Sequence, residues 1–357
     1  MKVIKVGFII SRIDGGGREK RAINLALHLS SLSNFNIFLV TTDLGVLDKI
    51  EYFQSFGLRV FYIRKWASIN FLKVIFSQGR CILHTWGFIE TFYSILFRIF
   101  KYKIVNSAIT GHSSGFNFSF FENYFWSVIL SFTNFTISNS SFNLKSFLIK
   151  NKSSIIFNSV DLVSLDININ KASISSEFGF NLKKRHVLMI ANYKNGKLFE
   201  KAIDLLNLIE NKLNDVVFVF VGKDVLLNLS QHNGKRDNLI LLDKMEYNDI
   251  LKLQYFCDVG LLISHFEGQS NSILETMAMS KPVVVVEGGG MKDILHNKFN
   301  SIYYNEFEID VISSDIINIL EDRNFWLFIS NNGYETVKDF CDKNNITQKY
   351  IDIYYSL

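Results

Sequence analysis

The chain is poor in residues that cross-link or interrupt a polypeptide. Its 357 residues include three cysteines and a single proline. Because Cys81, Cys257 and Cys341 are odd in number and far apart, they indicate neither a disulfide framework nor a zinc knuckle, and they fit a reducing cytoplasm. With Pro282 as the one strong breaker, helices and strands are expected to run with few interruptions. The opening MKVIKVGFIIS lacks the longer apolar core and cleavage site of a signal peptide and predicts a strand.

Acidic residues are scarce in the first half, and no Asp-x-Asp pair occurs anywhere, which disfavours a metal site built on such a pair. Residues 1–165 carry 18 Lys and Arg against 8 Asp and Glu, a net +10, whereas residues 166–357 carry 20 against 26, a net −6. A basic first half suits an anionic partner such as phospholipid, although a solvated surface of scattered charges explains it equally well. No recognisable nucleic-acid-binding module is present, so nucleic acid is not expected as a partner.

Short apolar runs alternate with stretches of helical spacing, and this pattern occurs twice along the chain. It predicts βα units that build parallel sheets in two domains, at roughly 150 residues per domain. The predicted strands are Val3–Ile10, Asn36–Thr41, Arg59–Ile63, Cys81–His84, Ile104–Ile109, Phe135–Ser138, Ser154–Phe157, His186–Ala191, Val216–Val221, Leu239–Leu242, Val259–Ile263 and Pro282–Val286. The predicted helices of the second half are Glu200–Lys212, Tyr247–Phe256, Asn271–Met279 and Ile309–Leu320, with Phe325–Leu357 helical throughout.

We therefore expect an α/β protein with two Rossmann-like domains, at residues 1–165 and 185–335, joined by a linker at 166–184 and followed by a C-terminal helix at 336–357. Within the first domain, the stretch Phe116–Trp126 is crowded with aromatic residues. Its surroundings are too interrupted by Asn, Ser and Thr to span a bilayer, which needs about 20 predominantly apolar residues. Contact with a membrane surface and burial as a helix with an aromatic loop both remain open.

The segment EGQSNSILE, from Glu267 to Glu275, follows a predicted strand and enters a helix. It places two carboxylates at the carboxyl edge of a parallel sheet, where open α/β sheets bind ligands. Carboxylates in this position can hold sugar and ribose hydroxyls. Alternatively, Ser272 and Glu275 form an S-x-x-E capping box, which would account for Glu275 without a ligand.

Two glycine runs also follow strands. Gly15-Gly16-Gly17 lies between the first strand and a helix, where a phosphate can approach bare backbone amides and a helix N-terminus. It does not match G-x-G-x-x-G, so a dinucleotide site is not indicated, and a plain tight turn remains an alternative. The second run, Gly288-Gly289-Gly290, is likewise expected to precede a helix.

Four basic or titratable side chains lie near predicted strand ends. Lys194 and Lys197 follow the strand His186–Ala191 and could neutralise charge on a leaving phosphate, or they could simply be solvated. His84 and His112 end strands of the first half and could carry a proton or be satisfied polar residues.

With these residues in place, the chain resembles glycosyltransferase family 4, the retaining GT-B transferases, over nearly its whole length. The segment EGQSNSILETMAMSKPVVVVEGGGMKDIL is similar to that family's glutamate-seven-residue-glutamate signature with the strand and glycine turn that follow it. GGGREKRAINLALHL resembles the N-terminal loop and helix, FNSVDL the segment that enters the linker, and QKYIDIYYSL the C-terminal helix that crosses back to the first domain. The resemblance implies a GT-B fold in which two Rossmann-like domains face a cleft.

By this resemblance, Glu267 would hold the hydroxyls of the donor sugar, Lys197 its phosphate, and His112 would stand beside the reacting carbon as the third catalytic residue. Asn192 departs from the family, in which many members have a diphosphate-binding arginine, and Lys194 is a candidate substitute. The implied donor-binding residues are Gly16, Gly17, Asn192, Lys194, Lys197, Glu267, Gly268, Gln269, Ser270, Asn271, Ser272 and Glu275.

The resemblance predicts a retaining glycosyltransferase that needs no metal or other cofactor. It would move a hexose or N-acetylhexosamine from a nucleoside-diphosphate sugar, with UDP favoured, to a hydroxyl of a growing lipid-linked surface glycan. A cytoplasmic enzyme in peripheral contact with the inner face of the membrane is expected. Two alternatives are a sugar-nucleotide 2-epimerase of the same architecture and a non-catalytic glycan-binding protein.

Overall fold

A computed structural model describes residues 3–13, 16–109, 119–162, 165, 170–194, 196–232 and 236–357. The chain divides into two compact units. The first unit contains the described residues up to 158 together with Ile346–Leu357, and the second contains those from Ser159 to Asn345. Each unit has its own parallel sheet and its own core.

The first unit is built on a sheet of seven strands, all parallel, in the order β3-β2-β1-β4-β5-β6-β7. These strands are β1 Ile4–Ile10, β2 Phe35–Thr41, β3 Arg59–Tyr62, β4 Ile82–Thr85, β5 Lys103–Ile109, β6 Phe135–Ser138 and β7 Lys152–Ile155. Within β2, the run Ile37–Val40 is apolar and fully buried, as expected of a strand in a parallel sheet that is covered on both faces.

The helices of the first unit are α1 Gly17–Ser30, α2 Ile50–Ser55, α3 Ile69–Ser77, α4 Phe88–Ser94, α5 Phe120–Ser131 and α6 Ser141–Lys145. Short 3-10 helices occupy Leu44–Lys49 and Ile95–Phe100. Local caps account for several helix starts. Ser68 accepts the backbone N–H of Phe71 before α3, and Ser119 forms a capping box with Glu122 before α5.

The second unit has six parallel strands in the order β10-β9-β8-β11-β12-β13. The strands are β8 Arg185–Ile190, β9 Val216–Val221, β10 Leu239–Leu242, β11 Val259–Ile263, β12 Val283–Val286 and β13 Ile302–Tyr304. The helices are α7 Lys171–Phe178, α8 Phe199–Glu210, α9 Val225–Asn228, α10 Tyr247–Phe256, α11 Asn271–Ala278, α12 Ile309–Glu321 and α13 Arg323–Cys341, with 3-10 turns at Ser230–His232 and Met291–Asp293.

The passage between the units differs from the predicted linker at 166–184. The chain leaves the first unit after Asn158, and residues 171–178 form α7, which belongs to the second unit. Asn170 caps this helix by accepting the backbone N–H of Ser173 at 2.7 Å, and Ile174 is buried in the core. A largely polar sequence with two apolar anchors, Ile174 and Phe178, and a cap thus forms a short helix because the rest of the domain supplies the packing surface.

The C-terminal segment is two helices where the sequence predicted one continuous helix. It continues beyond α13 as α14, Lys343–Tyr355, and Asp342 separates the two by accepting the backbone N–H groups of Asn344 and Asn345. Tyr350 and Tyr354 of α14 are buried in the core of the first unit, as predicted for a helix that returns to that domain. The return begins at Ile346 and not at residue 336.

In the part of the chain that the structure describes, no helix combines the length and the apolar character needed to cross a bilayer.

Candidate functional site

The strongest polar cluster of the second unit forms where β8 and β11 end. These strands are parallel neighbours, so the loops that follow them leave the same edge of the sheet. The backbone N–H of Leu198 donates to Ile263 at 3.0 Å, and the backbone N–H of His265 donates to Gly196 at 2.9 Å. Pairing of the two loops brings Lys197 beside Glu267, although 70 residues of sequence separate them.

Lys197 and Glu267 form an ion pair between Nζ and Oε1. Their side chains are only 10% and 15% exposed, so the two charges are held largely out of water. Burial and the nearby charge of Lys194 lower the pKa of Lys197 to about 7, while the carboxylate of Glu287 opposes this shift. Partly buried charges of this kind are costly to fold and typical of sites that bind or transfer charged groups.

Glu287 lies beneath this pair and was not singled out from the sequence. One of its oxygens accepts the backbone N–H of Glu267 at 3.2 Å and that of Gly289, while the other accepts the backbone N–H of Met291 at 3.0 Å. The hydroxyl of Tyr303 on β13 also donates to this carboxylate at 3.0 Å. Burial raises the pKa of Glu287, and these hydrogen bonds act against the increase. Glu287 therefore fixes the loop that carries Glu267 to the neighbouring glycine run.

The glycine run Gly288–Gly290 has a different role from the predicted one. A 3-10 turn of three residues follows it in place of the expected helix, and the amides of Gly289 and Met291 are bonded to Glu287. A Cβ atom on Gly289 would lie 2.3 Å from the carbonyl oxygen of Glu267. Glycine is thus required here for the close approach of two loops, and the run serves to position Glu267.

Glu275 is not part of a capping box. The N-cap of α11 is Ser270, and Ser272 lies inside the helix, where its hydroxyl donates to the carbonyl of Ile190 at 3.3 Å. Glu275 accepts a hydrogen bond from the hydroxyl of Tyr247 at 3.1 Å. The alternative that explained Glu275 by helix capping is therefore wrong, and Tyr247 is a partner that the sequence did not reveal.

The residues between the two glutamates line the start of α11. Gly268, Gln269 and Ser270 are buried, while Asn271 and Ser272 are partly exposed. The backbone N–H of Ser270 contacts the sulfur of Met291 at 3.2 Å, and the hydroxyls of Ser270 and Ser272 are 3.0 Å apart. Residues 267–272 therefore lie at the N-terminus of α11, a position suited to binding an anion or sugar hydroxyls.

Asn192 and Lys194 are exposed in the loop after β8. The side-chain oxygen of Asn192 accepts the backbone N–H of Lys223 at 3.1 Å, which ties this loop to the end of β9. Gly222 permits the contact, because it has φ +155° and a Cβ there would lie 2.0 Å from the carbonyl oxygen of Ala191. Lys194 stays close enough to influence the charge of Lys197, as a second phosphate ligand would need to be.

The remaining predicted residues lie in the first unit or outside the described residues. Gly16 and Gly17 lie in the first unit, as the N-cap and first residue of α1. His112 lies outside the described residues. His84 is fully buried in the first unit, with Nδ1 2.7 Å from the hydroxyl of Tyr354 and Nε2 2.7 Å from that of Ser107. His84 is thus a satisfied core histidine, the second of the two interpretations that the sequence left open.

Across the described ranges, no group of three or more His, Cys, Asp or Glu side chains is arranged to hold a metal ion.

Comparison with known proteins adds to this geometry. Residues 170–336 match the family model described as Glycosyl transferases group 1. The chain is 30% identical to the UDP-Gal:alpha-D-GlcNAc-diphosphoundecaprenol alpha-1,3-galactosyltransferase of Escherichia coli, over 57% of this chain and 54% of that one. It is 28% identical to the N,N'-diacetylbacillosaminyl-diphospho-undecaprenol alpha-1,3-N-acetylgalactosaminyltransferase of Campylobacter jejuni, over 48% and 45%. The chain spans about half the length of the curated relatives it matches.

Among solved structures, Anabaena HepE in complex with UDP is similar to the whole fold. The match covers 99% of this chain and 100% of that one, with a TM-score of 0.85 and 18% sequence identity. The family model and the curated relatives support the glycosyltransferase class predicted from the sequence, and the match to HepE confirms the two-domain, parallel-sheet architecture. By family model and by relatives this chain is similar to glycosyltransferases, and it has the GT-B fold.

Proposed function

We propose that this protein is a retaining glycosyltransferase of family 4. It would transfer a hexose or N-acetylhexosamine from a nucleoside-diphosphate sugar to a hydroxyl of a lipid-linked surface glycan. The observation that carries the proposal is the buried Lys197–Glu267 pair at adjoining strand ends, within the segment that matches group 1 glycosyltransferases. An ammonium and a carboxylate held together this way present one group to a phosphate and one to sugar hydroxyls.

Each group at this edge has a proposed role. The ammonium of Lys197, helped by Lys194, binds the diphosphate, and Glu267 accepts hydrogen bonds from hydroxyls of the donor sugar. The N-terminus of α11, with residues 268–272, completes the sugar pocket. Glu275, whose carboxylate accepts a hydrogen bond from the hydroxyl of Tyr247, holds the ribose. Gly16 and Gly17 are proposed as further donor-binding residues, and His112 as a catalytic residue beside the reacting carbon.

In the reaction, the bond between the anomeric carbon and the diphosphate oxygen breaks, and the acceptor oxygen bonds to the same face of that carbon. The acceptor proton passes to the departing phosphate oxygen, so the products are the extended glycan and a nucleoside diphosphate. Lys197 stabilises the negative charge that develops on the leaving group. Since the diphosphate itself takes the proton, no protein carboxylate needs to act as nucleophile or base.

The substrates are proposed from the similar proteins. HepE was solved with UDP and with UDP-glucose, and the names of the Escherichia coli and Campylobacter jejuni relatives specify undecaprenol-linked acceptors. We infer a UDP-sugar donor and a polyprenol-linked saccharide acceptor, with transfer independent of a metal ion. We further propose that the enzyme works at the cytoplasmic face of a membrane, in peripheral contact with anionic lipid, because a polyprenol-linked acceptor is anchored in a membrane.

A radiolabelled-sugar assay tests the proposal. The full-length protein is incubated with UDP-, GDP- and ADP-sugars and a short polyprenol-diphosphate saccharide, with and without EDTA. We expect label to move from UDP-sugar to the lipid fraction, with the α configuration of the donor retained in the product and with no loss in EDTA.

The alternatives give different products. A 2-epimerase would return a changed sugar still attached to UDP, and a glycan-binding protein would bind the acceptor without consuming donor. Either result with wild-type protein would overturn the proposal. Inversion at the anomeric carbon would exclude the retaining mechanism alone.

A further inference from the structure

The outer side of one helical layer in the first unit is covered by large apolar side chains. We call this surface the aromatic face. It consists of exposed residues of α4, of the 3-10 helix Ile95–Phe100, of α5 and of the segment after α6: Ile89, Phe92, Leu96, Ile99, Phe100, Phe121, Tyr124, Phe125, Val128, Phe132 and Leu148. Among the exposed side chains of α5 that the structure describes, Glu122 is the one charged member. Contiguous exposed apolar patches of this extent mark interaction surfaces.

These side chains form a connected surface. The rings of Phe92 on α4 and Phe125 on α5 have centroids 6.3 Å apart. The guanidinium of Arg98 donates to the carbonyl of Phe132, which fastens the 3-10 helix to the end of α5. The backbone N–H of Leu148 donates to the hydroxyl of Ser127 on α5 at 3.0 Å. The layer is therefore bound together along its length, and its apolar members share one outward side.

The aromatic face is not required to fill the core. The inward side of the same elements already does so, through Leu130 of α5 with Ile109 of β5 and Phe147, and through Phe97 of the 3-10 helix. Ile99 and Phe121 are 80% and 81% exposed and so gain little from folding. Their apolar surface becomes favourable only when something removes it from water.

One edge of the aromatic face is positively charged. Lys103 begins β5 and Lys152 begins β7, and the parallel pairing of β5, β6 and β7 sets these strand starts at one sheet edge. The same edge carries Lys101 and Lys150, and all four ammonium groups are exposed. We call these four residues the basic rim. Between residues 91 and 152 the sequence contains one acidic residue, Glu122, which lies at the opposite end of α5 in its capping box.

We propose that the aromatic face and the basic rim dock this protein on an anionic lipid bilayer. Aromatic and aliphatic side chains that enter the interfacial region beside a row of lysines are the combination that binds acidic membranes. A second copy of the chain fits less well, because a two-fold contact through this face would bring two basic rims to one interface. The inference deepens the membrane contact included in the proposed function, and it rests on exposure and charge that do not depend on glycosyl transfer.

Vesicle sedimentation of the full-length protein tests this without any donor or acceptor. Vesicles of phosphatidylcholine with about 30% phosphatidylglycerol are compared with pure phosphatidylcholine at about 0.1 M salt, where charges are screened beyond ~10 Å. We expect binding to the anionic vesicles that weakens as salt is raised, and little binding to the neutral ones.

Two variants separate the apolar and charged contributions. The triple variant Ile99→Ser, Phe121→Ser, Phe125→Ser should lower the partition coefficient for anionic vesicles by about tenfold or more, since each substitution removes apolar area that binding would bury. The matched control Leu44→Ser, Leu182→Ser, Leu227→Ser changes three apolar residues of comparable exposure outside the face and should leave binding unchanged. Replacing Lys101, Lys103 and Lys150 by Gln should abolish the preference for anionic lipid.

Because all the substituted side chains are exposed, the variants should fold, and an unchanged circular dichroism spectrum and melting temperature of each variant confirm that it does. Equal vesicle binding by the triple variant and its control would overturn the proposal. The proposal would also be overturned if the wild-type protein did not bind vesicles but formed a concentration-dependent dimer that the triple variant could not form. That result would identify the face as a contact between copies of the chain. Vesicle binding without sugar transfer would reject the proposed enzyme and leave this inference standing.

Discussion

Two buried polar clusters in this molecule lie near strand ends, yet they are built in opposite ways. In the second unit, Lys197, Glu267 and Glu287 bring three charged groups together, and the ion pair keeps a small exposed fraction. In the first unit, His84 stands between the hydroxyls of Tyr354 and Ser107 and is fully buried. One cluster holds charge at an accessible edge, and the other closes neutral hydrogen bonds inside a core.

The difference indicates what each cluster is for. Removing charges from water is unfavourable even when they are paired, so a charged cluster is weak evidence for stability and stronger evidence for binding. A neutral network in which both ring nitrogens have partners avoids that cost and specifies packing. Changes to the charged cluster of the second unit should therefore act on donor binding and transfer. Changes to the neutral cluster around His84 should act on stability.

The largest effect is expected for Lys197→Met, which keeps the apolar stem and removes the ammonium. Glu267 would lose its partner, and the leaving diphosphate would lose the charge that stabilises it. We expect kcat/KM to fall by about 10²–10³, the range seen when a preorganised group facing developing charge is removed. Initial rates at varied UDP-sugar measure this. Lys244→Met, a change of an exposed lysine in the same unit, is the control, and equal activity of the two variants would contradict the role of Lys197.

A smaller effect is expected for Glu287→Gln. An amide can accept from only some of the backbone N–H groups of Glu267, Gly289 and Met291, and each buried donor left unpaired costs about 1–3 kcal/mol. The loop that carries Glu267 should then shift. We expect the KM for donor to rise about tenfold, as for loss of roughly 1.4 kcal/mol of binding, with a smaller change in kcat.

Tyr303→Phe is the matched control for Glu287, because it removes a single hydroxyl donor and leaves the backbone contacts of the carboxylate in place. Its KM for donor should stay closer to wild type than that of Glu287→Gln. If both variants lose thermal stability equally and neither changes KM, Glu287 is a structural residue without influence on the donor.

The sequence predicted most strands within two residues because each is a short apolar run between helical stretches, as in β9 and β11. It missed β13, whose three residues are too few to show a pattern. It also predicted a linker where α7 forms, since the packing that stabilises this helix comes from distant residues. Local pattern thus located the longer elements, and tertiary contacts determined the short ones.

The candidate site was predictable only in part for the same reason. Glu267 was found through a motif, and Lys197 through its place after a strand and the family resemblance, but their pairing depends on two loops that are 70 residues apart in the sequence. Glu287 was overlooked because attention fell on the glycine run that follows it, which was expected to lead into a helix, whereas its carboxylate accepts the backbone N–H groups of Gly289 and Met291. His84 and Lys197 were equivalent as polar residues near strand ends, and only burial and hydrogen-bond partners distinguish them.

The pH dependence of donor binding sharpens the charged side of the comparison. The pKa of Lys197 is lowered to about 7, mainly by burial, and an anionic diphosphate favours the protonated ammonium. Binding should therefore be strongest below pH 7 and weaken at higher pH, by at most tenfold per pH unit, until the pKa of the complex is reached. Because an arginine stays protonated, Lys197→Arg should bind donor with a flatter profile between pH 7 and about 9. Identical profiles by calorimetry would show that Lys197 does not govern this dependence.

The smallest effect on transfer is expected for His84→Gln, which tests the neutral cluster. Burial, with the charge of Arg21, lowers the pKa of His84 well below its ordinary value, so the folded protein resists a proton that the unfolded chain accepts. The free energy of unfolding should thus decrease as the pH falls below about 6.5, by up to ~1.4 kcal/mol per pH unit. Denaturant unfolding at pH 7 and pH 5 measures it. The His84→Gln variant should be less stable than wild type at pH 7, and its stability should depend less on pH. At a temperature where it is folded, its KM for donor should equal that of wild type. A raised KM would mean that the two clusters are not separate in function.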